Sequence, residues 1–128
     1  MRVIVADDSR VMRSIIEKVL HSLGHEVIHA ANGKEVVDIL ERGGGEVNLI
    51  LLDWNMPVMN GFEVLSHMKH QNLGRGIPVL MISTESEDGK IEQAIQAGAQ
   101  GYLSKPFTSE ELAAGIRYAL DNTNSRAS

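Results

Sequence analysis

Short runs of large apolar residues alternate with helix-periodic segments along the whole chain, and this alternation leaves few folds open. The strongest run is Leu49-Ile50-Leu51-Leu52, ending at Asp53. Four consecutive large apolar residues in so short a run read as a central strand covered on both faces. Val79-Leu80-Met81-Ile82 is a second such strand, introduced by Pro78 at a strand start, where proline is tolerated. Val3-Ile4-Val5, Val27-Ile28 and Tyr102-Leu103 complete a set of five. Between them lie helical patterns with recognisable starts and stops. Ser9 precedes Val11, Met12, Ile15, Ile16, Val19, Leu20 and Leu23, and Gly24 ends that helix. Asn32 with Glu35, Asn60 with Glu63 and Thr108 with Glu111 have the spacing of capping boxes. They open helices carrying Val36, Val37, Ile39 and Leu40, then Phe62, Leu65 and Met68, then Leu112, Ile116 and Leu120. A helix around Ile91, Ala94 and Ile95 stops at Gly98, and Gly43-Gly44-Gly45 closes the second helix as a loop.

Five strands alternating with five helices predict an α/β, doubly wound parallel sheet with helices on both faces. The 128 residues suffice for one domain and one core, set at 1–122, with a polar tail or linker stub at 123–128. No cysteine is present, which excludes disulfides and thiolate metal sites. A formal net charge of -5 argues against direct nucleic-acid binding, which needs clustered Lys and Arg. No uncharged run approaches the ~20 residues of a membrane span, and the start lacks the pattern of a secretory signal. The expected location is cytoplasmic, without membrane insertion.

In open α/β sheets the functional crevice lies beyond the carboxyl ends of the strands. Asp7 and Asp8 follow strand one, Asp53 strand three, Ser83 and Thr84 strand four, and Ser104, Lys105 and Pro106 strand five. If the strand order is 2-1-3-4-5, strands one and three are neighbours about 4.8 Å apart, and three carboxylates would then converge beside a hydroxyl and an ammonium. Like charges so close raise one another's pKa, and a cation must offset them. Mg2+ suits the position, being held by one or two carboxylates and by phosphate oxygens. The main-chain carbonyl of Asn55 is a further oxygen. Metal, ammonium and hydroxyl around a phosphoryl group are what its transfer requires, with Asp53 as the nucleophile.

Each of these residues alone has a plainer reading. An Asp after a strand caps helices, paired acids sit in solvated turns, and Lys-Pro makes an ordinary turn. It is their coincidence on one sheet edge that favours a site. His21, His25 and His29 do not share a helical face, because Gly24 interrupts them. His67 and His70 share one but lack an acid or Cys nearby, and both are expected in solvent. The methionines read as packing. Trp54 is expected to cover part of the acceptor site and to report metal binding.

The acidic pair in VADDS, the segment DWNMPVMNG, MIST and GYLSKPF together resemble the receiver domain of two-component response regulators, over residues 2 to 121. The resemblance implies a flavodoxin-like, CheY-like fold with strand order 2-1-3-4-5. It implies that Asp53 accepts a phosphoryl group from a sensor histidine kinase or phosphotransfer protein. It also implies Mg2+, with Mn2+ able to substitute, on Asp8, Asp53 and the Asn55 carbonyl, with Asp7 assisting through water. Ser83 and Lys105 would contact the phosphoryl oxygens, and Lys105-Pro106 would be a cis peptide. Ser83 and Tyr102 would act as the switch, altering the surface of helix four, strand five and helix five toward a downstream protein target.

Ser83 stands where threonine is commoner. Thr84 replaces a smaller residue and is expected to narrow access to Asp53. Asn55, Glu85 and GAQGYLSKPF are similar to the chemotaxis pattern, so a stand-alone monomeric switch is expected. Gln100-Gly101 and Glu110 differ from receivers of winged-helix regulators, although a receiver excised from a longer transcription regulator or signalling enzyme is the alternative. An aspartate-nucleophile phosphatase would need an acid where Asn55 stands. On this reading the domain is no enzyme beyond assisting its own phosphorylation and dephosphorylation.

Overall fold

The computed structural model describes residues 1–42, 46–84 and 88–127, with the side chains of 88–89 and 122–127 left aside. The expected Gly43-Gly44-Gly45 loop and the pocket-flanking Glu85 lie outside the described residues. The elements are β1 (Arg2–Ala6), α1 (Arg10–Ser22), β2 (Glu26–Ala30), α2 (Gly33–Glu41), β3 (Leu49–Asp53), α3 (Gly61–Gln71), β4 (Val79–Ser83), α4 (Asp88–Gln96), β5 (Gly101–Ser104) and α5 (Ser109–Ala127). All strand pairs are parallel and the order is β2-β1-β3-β4-β5, as the family resemblance implied. The backbone of α5 continues to Ala127, past the point at 122 where the sequence reading ends the domain.

The period-two alternation of the strands divides the core into two layers. Val3, Val5, Leu49, Leu51, Leu80 and Ile82 face α1 and α5, meeting Ile16, Leu20, Leu112 and Ile116. Ile4, Ala6, Ile50, Leu52, Val79 and Met81 face the other way, toward Val36, Leu40, Val64, Leu65 and Ala94. Every residue of β3 and β4 is buried, which explains why those two runs carry no polar alternation. Each fully buried Leu or Ile contributes about 1.5–3 kcal/mol, so the central strands hold their carboxyl ends in fixed register.

The caps form largely as their spacing predicts. Ser9 Oγ accepts from Met12 N at 3.2 Å, and Asn60 and Glu63 make a reciprocal box. Thr108 and Glu111 do the same at 3.0 Å in both directions. At α2 the Glu35 carboxylate reaches past Asn32 to the Ala31 N–H, one residue earlier than a standard box.

Several apolar positions differ from a simple periodic reading. Val11, Ile15 and Leu23 of the α1 pattern are exposed, as is Ile95 of α4. The apolar stripe on α1 is wider than the strip of sheet it covers, so Ile16 and Leu20 reach the core and the flanks stay in water. His67 is also corrected. It is half-buried between α3 and α2, its Nε2 enclosed and 3.9 Å from Glu41, while His70 is exposed as expected.

Candidate functional site

The carboxyl ends of β1, β3, β4 and β5 bring the expected cluster together. Oxygens of Asp7, Asp8 and Asp53 lie within 4.8 Å of one another. Asp7 and Asp53 are only 2% and 4% exposed, whereas Asp8 faces solvent. The register explains the proximity. Ala6 pairs with Leu52, so the next residue on each strand is an acid on the same edge. Ser83 is fully buried at the end of β4, aligned with Ser104 of β5. Its carbonyl accepts from Lys105 N at 2.8 Å, which draws Lys105 toward the acids. The Lys105-Pro106 peptide is cis.

Lys105 Nζ donates to Asp7 Oδ2 at 2.8 Å and to Asp53 Oδ2 at 3.3 Å. The shorter bond goes to Asp7, whose Oδ1 also accepts from Ser9 N at 2.8 Å. Among the described residues, Asp53 Oδ1 has only a long contact, 3.4 Å, from Asn55 N. The electrostatics follow from this uneven sharing. Burial, then repulsion from Asp7, raise the Asp53 pKa to about 6, against the opposing pull of Lys105. Burial by itself would lower Lys105, but its bond to Asp7 and the charges of both acids leave its pKa above the usual value. Among the described residues, three clustered acids with one ammonium beside them therefore leave room for further positive charge.

The loop after Asp53 is held closely over the strand. Trp54 N donates to Ile82 O at 2.8 Å, and Gly61 N donates back to Trp54 O at 2.9 Å. A Cβ on Gly61 would clash with the Asp53 carbonyl oxygen, so glycine is required by close approach. We expect Gly61→Ala to cost about 2–3 kcal/mol in urea unfolding. A change within 0.5 kcal/mol would mean that the loop yields easily.

Trp54 itself is buried against Phe62, with ring centroids 5.6 Å apart, and Lys90 Nζ lies 5.2 Å from its centroid. The indole thus joins the α2–α3–α4 side of the core. Asn55 and Thr84 are exposed beside the pocket, and Tyr102 packs half-buried against that same core layer. The sequence reading missed Arg13, whose guanidinium bonds the Asp7 carbonyl oxygen from α1. An arginine one turn into a helix carries no sequence signal for that contact.

A five-stranded 2-1-3-4-5 sheet with an acid trio and a lysine at its carboxyl edge defines a receiver-type signalling domain. Residues 3–117 match the response regulator receiver domain, and the chain belongs to that family, with CheY-like character. It is similar to the chemotaxis protein CheY homolog of Campylobacter jejuni, 37% identical over 113 residues, covering 88% of this chain and 86% of that protein. It is likewise similar to chemotaxis protein CheY1 of Helicobacter pylori, 36% identical over 121 residues, covering 94% and 97%. Among solved structures, Vibrio cholerae CheY4 superposes with a TM-score of 0.84 at 34% identity, covering 93% of this chain and 98% of that one. Among the described residues, no helix is long and apolar enough to cross a membrane.

Proposed function

We propose that this receiver takes a phosphoryl group on Asp53 and changes its affinity for a protein partner in response. The observation that carries the reading is the buried Asp53 carboxylate with one weakly engaged oxygen, set between two further acids and Lys105. The donor is the phosphohistidine of a sensor kinase or phosphotransfer protein. An Asp53 oxygen forms the bond to phosphorus as the phosphorus–nitrogen bond breaks, and the imidazole keeps the electron pair and takes up a proton. Lys105 and Ser83 would meet the phosphoryl oxygens.

The donor set fits a hard divalent ion, since the trio offers only oxygen ligands and an excess of negative charge. Asp8, Asp53 and the Asn55 carbonyl would hold Mg2+, with Asp7 assisting through water because both its oxygens are already engaged. Bound there, the ion supplies neutralisation of charge on the phosphoryl group. Replacing Asp8 by Ala is expected to weaken Mg2+ binding at least tenfold by calorimetry while leaving thermal stability nearly unchanged, because Asp8 is exposed. An unaltered Mg2+ titration would count against this ligand set.

Recruitment of Ser83 to the phosphoryl group and movement of Tyr102 would bias two packings of α4, β5 and α5. The chemotaxis names of the similar proteins favour an output through reversible protein binding. A receiver working within a longer regulator is the alternative. The two predict different behaviour with the phosphoryl mimic beryllofluoride: capture of a protein target by this chain alone, or none without further domains.

A further inference from the structure

We propose that Arg13 is a positioning residue for the acidic pocket, fixing the peptide between Asp7 and Asp8, and that His29 and Glu17 hold it in place; the inference rests on the Mg2+ site proposed above. Regular pairing of β1 ends at Ala6, with the Asp7 N–H still tied to Ala30 O at 3.1 Å. The next carbonyl, that of Asp7, has left the sheet, and Arg13 of α1 donates to it. This carbonyl belongs to the peptide joining the two acids, so its direction sets where the Asp8 side chain starts. Asp8 needs such help. Its carboxylate is exposed and has no hydrogen bond among the described residues, whereas Asp7 is fastened by Ser9 N and Lys105.

Arg13 is anchored at its other edge. Its Nε lies 3.2 Å from His29 Nδ1 on β2. Arginine has donors only, so Nδ1 must accept and the ring proton sits on Nε2. That Nε2 lies 3.2 Å from the Glu17 carboxylate, one helical turn after Arg13, and His21 Nε2 approaches the same oxygen at 3.8 Å. Glu17 thus orients His29, His29 orients the guanidinium, and the guanidinium orients the Asp7–Asp8 peptide. A lysine cannot reproduce this, because it lacks a second, fixed donor edge.

The sign of the effect separates positioning from plain charge. If Arg13 acted only as a nearby cation, its removal would tighten Mg2+ binding and Lys would substitute for it. Positioning predicts the reverse: about tenfold weaker Mg2+ binding for both Arg13→Ala and Arg13→Lys, the low end of losses seen when partners behind metal ligands are removed. His29→Phe, at a side chain 38% exposed, should weaken Mg2+ binding about threefold when Arg13 is present and not at all beside Arg13→Ala, by the logic of a double-mutant cycle. Calorimetric Mg2+ titrations of the full chain, with metal-free melting curves as the folding control, decide it. Wild-type-like or tighter binding in Arg13→Ala overturns the proposal, as does an equal His29→Phe effect in both backgrounds. Mg2+ binding by wild type that ignores Asp8→Ala would instead sink the metal site itself.

Discussion

Asp53→Asn is expected to abolish phosphorylation by phosphoramidate or acetyl phosphate with Mg2+ while making the metal-free protein more stable. Loss of the label follows from loss of the nucleophile. The gain in stability follows from electrostatics. The carboxyl is buried beside Asp7, and its pKa stands at about 6 in the folded chain against 3.8 for an unperturbed side chain. Between those values the native state binds more protons than the unfolded chain, so stability falls as pH rises through this window. Above it the ionised form costs about 1–3 kcal/mol, a cost the uncharged amide avoids. Unfolding midpoints for wild type should therefore decline between pH 4 and 6, and the variant should lose that slope. Labelling that persists at wild-type level, or a variant less stable at pH 7, would show that Asp53 is not a strained acceptor.

Lys105→Met should have the opposite effect on stability. Its Nζ bridges Asp7 and Asp53, and its side chain is only 13% exposed. Removing it leaves two buried acids facing each other with no ammonium between them. Breaking a buried ion pair from one side costs about 3–5 kcal/mol, and solvent at the open edge of the pocket should reduce this to about 2–4 kcal/mol. The loss should be greatest at neutral pH and fade as the acids take up protons. Added Mg2+ should restore part of it, since a cation of another kind can fill the same electrostatic role. If the variant melts like wild type at pH 7, the lysine is not what holds the acids together.

The sequence made the edge chemistry legible because strand ends are legible. Uninterrupted apolar runs located β3 and β4, and the first polar residue after each gave Asp53 and Ser83 directly. Capping spacings located the starts of α3 and α5 for the same reason: they are local hydrogen-bond patterns, complete within four residues. The outward turn of Val11 and Ile15 was not legible, because periodicity says which residues share a helix face and not how much of that face a sheet will cover. His67 shows the converse. A polar residue on a helix reads as exposed until another helix, here α2, packs over it.

Arg13 and His29 mark the same boundary inside the site. They are sixteen residues apart and meet only because β2 lies beside β1 under α1. Asp7 looked like an accessory to its neighbour, yet it is the more buried acid and takes the shorter bond from Lys105.

From the sequence by itself came the parallel α/β architecture, the edge where chemistry collects, and the identity of the acids, the hydroxyl and the ammonium placed there. These depend on local periodicity and on the rule that parallel strands present their carboxyl ends together. The tertiary structure alone decided how the charges are apportioned: Lys105 closer to Asp7, Asp53 left partly unsatisfied with its pKa raised to about 6, and Asp8 in solvent at the mouth. Burial and distances of a few ångströms set those differences, and both arise only when segments far apart in the chain are packed together.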